Sequence, residues 1–245
     1  MLSRSAGSQG QRRPLPAQSR PDRLLSYYLC SGCLRGLVAV ESPLCVCCGL
    51  PFKSRQGDDH PCSDCIDSPK KFRIARAPLV YEQTLTTIIH CFKYQGKIQL
   101  AEPLAELLWA AFCRFWDQDS IDMIIPVPLH IKRLRRRGFN QAYLLVRNWN
   151  TAAGRNDSGR PDFRIERDAM DRTVFTAPQS ALGRAERALN IKNAFTLIDP
   201  DKIIDKRILL IDDVYTTGAT VNECARMLLK FGAGHVDVLT LARAV

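Results

Sequence analysis

One stretch constrains the fold of this chain more than any other: Ile208 to Thr220, read as ILLIDDVYTTGAT. Four apolar residues carry Asp212 and Asp213 to the end of a buried strand, expected over 207–211. A hydroxyl-rich turn with Thr216, Thr217 and Gly218 then opens a helix over 219–231, and a last strand follows over 235–241. A strand–helix–strand unit of this kind builds a largely parallel sheet with helical cover, so an α/β fold is expected.

The same stretch carries chemistry. Side chains alternate along extended backbone, so adjacent carboxylates point in different directions. One of Asp212 and Asp213 can accept from vicinal ribose hydroxyls while the other orients a metal-bound water or a polar neighbour. Thr216, Thr217 and Thr220 can donate to a terminal phosphate, and Gly218 admits close backbone approach. The helix start at Ala219 adds free N–H groups and a favourable dipole. A buried aspartate with a helix cap would explain any one of these devices. Their compression into a few residues points instead to a phosphoribosyl-diphosphate site. Mg2+ is expected with that ligand, because it accepts carboxylate and substrate oxygens and keeps several waters. The motif does not prescribe direct ligation.

Ten cysteines would suit a small disulfide scaffold, but their arrangement argues for metal. Six fall in CxxC pairs, Cys30/Cys33, Cys45/Cys48 and Cys62/Cys65, with Cys47 beside the middle pair. Two thiolates separated by two residues grip one tetrahedral metal from a tight turn, and two such pairs fill four positions. Cys45, Cys48, Cys62 and Cys65 are the preferred set, since Gly49 and Pro51 make a knuckle turn after the first pair. Cys30 and Cys33 could replace either pair, stay free, or share a metal between chains. Residues 26–70 hold few large apolar side chains, so a structural Zn2+ would supply their folding energy. The isolated Cys91, Cys113 and Cys224 read as small buried hydrophobes.

The apolar fraction of 46% is enough for a core, and a formal charge of +10 draws polyanions: nucleic acid, nucleotides or an anionic membrane surface. No long charge-free apolar run of membrane-spanning type occurs. Residues 1–25, basic and rich in Gly, Ser, Gln and Pro, read as a disordered leader without the apolar stretch of a secretory signal. The expected organisation is therefore a leader (1–25), a zinc-knuckle module (26–70) and an α/β domain (71–245), in the cytoplasm.

Between the cysteines and the acidic motif, a short strand is expected over 73–80 and helices over 83–94 and 100–115. His90 and Lys93 share a helical face and could approach phosphate or simply face solvent. Trp109 and Trp116 read as packing residues. Residues 121–129, IDMIIPVPL, form a strand entering a loop whose two prolines suppress backbone donors and favour an edge of the site over a central strand interior. Lys132, Arg133, Arg135, Arg136 and Arg137 follow, too many to point inward together. They can neutralise a departing pyrophosphate or form a solvated nucleic-acid patch. Gly138 turns the chain, and Asn140 caps a helix running toward Trp149. A surface loop over 154–162 and a strand over 163–167 come next. Residues 171–193 lack a hydrophobic strand pattern and read as a mobile lid. On it Arg184 and Arg187, one helical turn apart, could close over pyrophosphate, although a polar surface helix explains them too. Asn190 is a helix cap or a lid anchor. The candidate catalytic residues are thus Asp212, Asp213, Arg184 and Arg187.

Together these segments resemble the ComF/GntX-like competence-protein branch of the type I phosphoribosyltransferase family. The resemblance covers about residues 30–245. It rests on the CxxC pairs, IIHCFKYQG ending at Gly96, VPLHIKRLRRRGFNQA at 127–142, LGRAERALNIKNAF at 182–195 and LLIDDVYTTGAT at 209–220. It implies a mostly parallel sheet under a flexible hood. It further implies that Asp212 and Asp213 bind ribose, that Thr216 to Thr220 hold the 5′-phosphate, and that Pro128 and Leu129 lie near the pyrophosphate loop. Arg184 and Arg187 map onto the hood. The partners it implies are phosphoribosyl diphosphate, single-stranded DNA in natural transformation, and a competence helicase. The chain departs from the pattern in three places: no CxxC pair precedes Cys30, Gly183 replaces a serine, and Tyr215 occupies a position usually small or aliphatic. The alternatives to an enzyme are a nucleic-acid-binding factor that keeps the pocket for regulation and a docking protein that uses the zinc module. No aromatic ladder with intervening basic residues marks a stacking surface in the sequence.

Overall fold

The computed structural model describes residues 25–54, 56–152, 163–175 and 191–245. Arg184, Arg187 and Asn190, most of the expected lid, the 154–162 loop and all of the expected leader but Leu25 lie outside them. The strands are β1 (Ala75–Arg76), β2 (Leu79–Val80), β3 (Met123–Pro126), β4 (Arg164–Ile165), β5 (Met170–Arg172), β6 (Phe195–Leu197), β7 (Arg207–Tyr215) and β8 (His235–Arg243). Five helices matter for the site: α1 (Gln83–Tyr94), α2 (Ala101–Phe115), α3 (Ile131–Arg137), α4 (Gln141–Leu144) and α5 (Ala219–Lys230).

The main sheet runs β1-β8-β7-β3-β4, with β2 also on β8, and every pairing in it is parallel. This is the mostly parallel α/β sheet that the strand–helix–strand pattern demanded. Ile208 to Ile211 are wholly buried, as central strands covered on both faces require. Alternate residues feed two separate layers. Leu209, Ile211, Leu239 and Leu241 pack with Leu85, Ile89, Phe92, Leu104 and Phe112 of α1 and α2. Ile208, Leu210, Val236 and Val238 pack with Val221, Cys224 and Leu228 of α5, and with Cys45, Cys48, Cys62 and Cys65. In α1 the buried residues Leu85, Ile88, Ile89 and Phe92 follow the i, i+3, i+4, i+7 spacing of one helical face. Each such residue, fully buried, contributes roughly 1.5–3 kcal/mol of transfer free energy. Leu25 joins the same layer.

Trp116 serves packing and more. Its Nε1 donates to Asp237 Oδ2 at 2.7 Å, and Arg73 holds the same wholly buried carboxylate at 2.6 Å. Trp109 meets Trp149 edge-on, with ring centroids 5.1 Å apart.

Four expectations need correction. β7 does not stop at 211 but continues through both aspartates, because its register with β8 holds as far as Tyr215↔Arg243. The 73–80 stretch splits into β1 and β2 around Pro78, whose carbonyl accepts from Val40 N at 2.9 Å. β3 is an interior strand between β7 and β4; Pro126 is its last residue, so neither proline interrupts the ladder, and Val127 N donates to Ile211 O at 2.8 Å. The start of the expected lid is not strand-free: β5 pairs antiparallel with β6 in a small second sheet. Arg172, buried in β5, conceals that strand in the sequence, because a cation on the inner face breaks the apolar alternation. No described helix is long and apolar enough to cross a membrane.

Candidate active site and metal centre

Asp212 and Asp213 stand in the second half of β7, beside the carboxyl end of β3, where parallel sheets place their ligand crevices. Asp213 is buried and forms an ion pair with Lys93, near the C-terminus of α1. Its backbone N–H donates to Asp212 Oδ1 at 2.8 Å. Of the two candidate groups on α1, Lys93 therefore turns inward. His90 stays exposed, its ring 5.0 Å from that of Tyr94.

The electrostatics are tight. Desolvation pushes the Asp212 carboxyl up to about 6, against the pull of Lys93, Arg172 and Arg137. Burial lowers Lys93 to about 8 in spite of Asp212, and Arg137 and Arg133 push in the same direction as burial. Arg172 on β5 is buried with its guanidinium 5.4 Å over the Phe195 ring. Asp212 and Asp213 thus sit among Lys93, Arg137 and Arg172, with Arg133 close enough to act on Lys93, and the excess positive charge suits an anion.

The basic helix α3 divides as its length dictates. Arg133 and Arg137 are half-buried toward the site, whereas Lys132, Arg135 and Arg136 are exposed. Arg137 bonds Gln141 Oε1 and lies 5.1 Å over the Tyr94 ring. Gly138 ends α3, and Asn140 caps α4 by accepting from Ala142 N at 2.9 Å. The same Asn140 donates through Nδ2 to Val127 O at 3.0 Å, which pins the loop holding Pro128 and Leu129. Pro128 is buried and Leu129 half-buried, next to the end of β3. His130 Nδ1 accepts from Lys132 N at 3.2 Å and so fixes the start of α3.

Thr216, Thr217 and Gly218 bridge β7 to α5. Gly218 is the N-cap of α5 with φ 76°, a left-handed backbone that favours glycine. A Cβ there would also lie 2.1 Å from the Tyr215 hydroxyl, so space and backbone both demand glycine. Thr217 Oγ1 accepts from Ala219 N at 3.4 Å, Thr216 is exposed, and Thr220 is half-buried in the first turn. The geometry is a helix N-terminus presented beside two carboxylates, able to receive a phosphate.

The Sγ atoms of Cys45, Cys48, Cys62 and Cys65 all lie within 4.8 Å of one another, and all four residues are buried. Cys48 and Cys62 Sγ are 3.7 Å apart. A tetrahedral centre with metal–sulfur bonds of ~2.3 Å needs edges of ~3.8 Å, so the cluster can hold such a metal. Backbone N–H groups of Cys48 and Cys62 donate to Cys45 Sγ at 3.4 and 3.3 Å. Burial raises the Cys45 thiol, but those donors win and lower it to about 7. Burial and the neighbouring Cys48 push the Cys65 thiol far up instead, a cost that a bound cation would offset. Cys30 is exposed and Cys33 half-buried, away from the cluster. Cys224 is buried as expected and Cys91 half-buried. Cys113 is exposed, because it falls on the outer face of α2.

No family model matches the chain. The DNA utilization protein YhgH of Escherichia coli O6:H1 is 33% identical over 223 residues, covering 89% of this chain and 91% of the relative. Competence protein F of Haemophilus influenzae is 32% identical over 223 residues, covering 88% and 90%. The chain belongs to the competence protein F family. A hypoxanthine phosphoribosyltransferase from Staphylococcus aureus superposes with a TM-score of 0.34 and 15% identity, over 60% of this chain and 64% of that one.

In this ComF-family chain, Asp212, Asp213, Thr216 to Thr220, Pro128 and Leu129 gather around the ends of β3 and β7. Arg184 and Arg187 lie outside the described residues. Two residues of consequence escaped the sequence reading. Arg172 faces Asp212 from the small second sheet. Arg243, at the end of β8, joins the turn at Thr216 to the cysteine cluster. Only Arg243 carries a partial signal, an arginine closing an apolar strand, and it does not name the distant partners; Arg172, in the strand Met170–Arg172 with its neighbouring Asp171, carries none.

Proposed function

We propose that this chain binds phosphoribosyl diphosphate and, given an acceptor, transfers its phosphoribosyl group with loss of pyrophosphate. The observation that carries the reading is the convergence of Asp212, Asp213, Lys93, Arg137 and Arg172 beside the helix N-terminus at Thr216–Thr220. The loop would hold the 5′-phosphate, and Asp212 would accept from the ribose hydroxyls. Lys93 keeps Asp213 in place and leaves Asp212 to the ligand. Arg133 and Arg137 would face the diphosphate, with Arg184 and Arg187 contributing from the segment after β5.

In the step itself the bond from the anomeric carbon to the diphosphate oxygen breaks, and the electron pair leaves with pyrophosphate. The acceptor forms the new bond and gives up a proton. Cations fixed around the leaving group stabilise its charge as it develops. Mg2+ would add charge neutralisation on the diphosphate. Because Lys93 occupies Asp213 and three cations surround Asp212, the ion fits as a companion of the ligand rather than on a carboxylate cage. Zn2+ is the metal proposed for the four cysteines, on their all-thiolate donor set. An abundance of free thiols around such a metal fits a reducing, cytoplasmic setting.

Calorimetry with phosphoribosyl diphosphate and Mg2+ tests the reading on the native protein and a folded Asp212→Asn/Asp213→Asn variant. Binding by the first and not the second supports it; no binding to the Zn2+-loaded native protein sinks it.

A second reading, single-stranded nucleic-acid binding, gains from an arrangement the sequence hid. Tyr94 (55% exposed) lies under Arg137, and Phe175 (43% exposed) lies 5.2 Å from Lys132 Nζ and 5.1 Å from the His130 ring. Exposed rings beside cations are stacking platforms for bases. The relatives' names, DNA utilization protein and competence protein F, favour it too. Salt-sensitive binding of an oligonucleotide that falls in Tyr94→Ala and Phe175→Ala, but not in Asp212→Asn, is its test.

A further inference from the structure

We infer that Arg243 and Tyr215 tie the four-cysteine metal site to the phosphate loop, so that a metal on the cysteines and a phosphate at Thr216–Thr220 favour each other. The phosphate half of this inference rests on the proposed ligand; the link itself does not.

Arg243 is 6% exposed at the end of β8. Its Nε donates to Cys48 O at 3.1 Å, and Nη2 lies 3.6 Å from Cys48 Sγ. Its Nη1 reaches Thr216 O at 3.1 Å, Tyr215 O at 3.4 Å, and Ala244 O. A guanidinium is a rigid planar fork. One side of that fork holds a metal-ligating residue and the other holds the first residues of the phosphate loop. If Cys48 shifts, the fork must tilt or release Thr216.

Tyr215 supplies a second path between the same points. The Arg243 guanidinium carbon sits 4.3 Å from the centroid of its ring, and Phe72 meets that ring edge-on at 6.1 Å. Its hydroxyl lies under Gly218, where even a methyl group would overlap it at 2.1 Å. The turn that presents the loop's N–H groups therefore rests on a side chain held by Arg243. A small or aliphatic residue at 215 could not span that distance, so the second path depends on the tyrosine itself.

The contacts run without a gap from Cys48 through Arg243 and Tyr215 to Gly218. They supply the physical continuity that coupling between two sites requires. Coupling of this kind is reciprocal: what the metal does for the loop, a phosphate in the loop does for the metal.

The experiment uses the full chain loaded with Zn2+ and compares it with Arg243→Lys, which keeps the charge but has no fork, and Tyr215→Leu. Amide hydrogen exchange is read at 216–220, with 208–211 as an internal control for the fold. Zn2+ release to a chromogenic chelator is timed alone, with inorganic phosphate, and with phosphoribosyl diphosphate and Mg2+. In the native protein, phosphoribosyl diphosphate should slow Zn2+ release about fivefold or more, the low end of typical site-to-site coupling. Both variants should lose that protection, release Zn2+ faster, and exchange faster at 216–220 with 208–211 unchanged. Should Arg243→Lys fail to fold, Tyr215→Leu decides on the same readouts.

Native rates of loop exchange and Zn2+ release in the folded variants would overturn the link, as would a chain that takes up no Zn2+. If phosphoribosyl diphosphate does not bind but the ligand-free differences appear, the proposed ligand fails and the link stands. If it binds and Zn2+ release ignores it, the ligand stands and the link falls.

Discussion

Replacing Asp212 with Asn should make the ligand-free protein more stable at neutral pH while removing its ability to bind phosphoribosyl diphosphate. The carboxyl titrates at about 6 in the fold against 3.8 for the free side chain. Between those values the native state holds the proton more tightly than the unfolded chain, so stability falls as pH rises through the window. Above about pH 6 the penalty is complete. A shift of about two units corresponds to ~3 kcal/mol at ~1.36 kcal/mol per unit, and residual hydration of this half-buried group brings the expected gain to about 1–3 kcal/mol. Asparagine keeps the shape and sheds the charge, so it escapes the penalty. The assay is urea unfolding of the metal-loaded proteins, followed by the fluorescence of Trp109, Trp116 and Trp149, at several pH values. The difference between the two proteins should be full near pH 7.5 and about a third of that near pH 4.5, where most of the native carboxyl is protonated. An Asn variant no more stable than the native protein near pH 7.5, or one whose gain does not change with pH, refutes the reasoning. The loop of the argument closes with ligand: phosphoribosyl diphosphate should raise the midpoint of the native protein and leave that of the variant unmoved.

Lys93→Met should destabilise by about 3–5 kcal/mol, because Asp213 is left buried with its ion-pair partner removed; urea midpoints measure it, and a second change, Asp213→Asn, should recover part of the loss. Gly218→Ala should abolish binding of phosphoribosyl diphosphate, since the new methyl overlaps the Tyr215 hydroxyl; Gly218→Ala combined with Tyr215→Leu should regain some affinity by calorimetry. Cys30→Ser/Cys33→Ser should leave metal content at one ion per chain by atomic emission, whereas Cys48→Ser or Cys62→Ser should lower it and reduce thermal stability.

The parts of this site that were legible in the sequence are the parts built from neighbours along the chain. Asp212 through Thr220 lie on one strand end, one turn and one helix start, and each device depends on residues a few positions away. The choice of Cys45, Cys48, Cys62 and Cys65 was legible for a similar reason: Gly49, with φ 66° and only 2.6 Å from its Cβ position to Ala75 O, marks the turn that closes the first pair. Arg172 and Arg243 were not legible because their partners come from distant segments, Asp212 for one and Cys48 for the other. The five cations of α3 could be counted but not sorted, since only packing against Tyr94 and Gln141 turns Arg137 inward. β5 and β6 escaped because a three-residue strand with a buried arginine carries no period to detect.

The cysteine cluster shares its apolar layer with β7, β8 and α5 and does not enclose a core of its own. It follows that neither half of this protein is a portable part. A chain cut between residues 70 and 71 would uncover Tyr215 and leave Arg243 facing the space where the Cys48 carbonyl belongs. Loss of the cysteines over evolutionary time would require coordinated replacement on the sheet, and a fusion or domain exchange at that border would inherit an aggregating face. The unit of inheritance, expression and design here is the metal turn together with the sheet it covers.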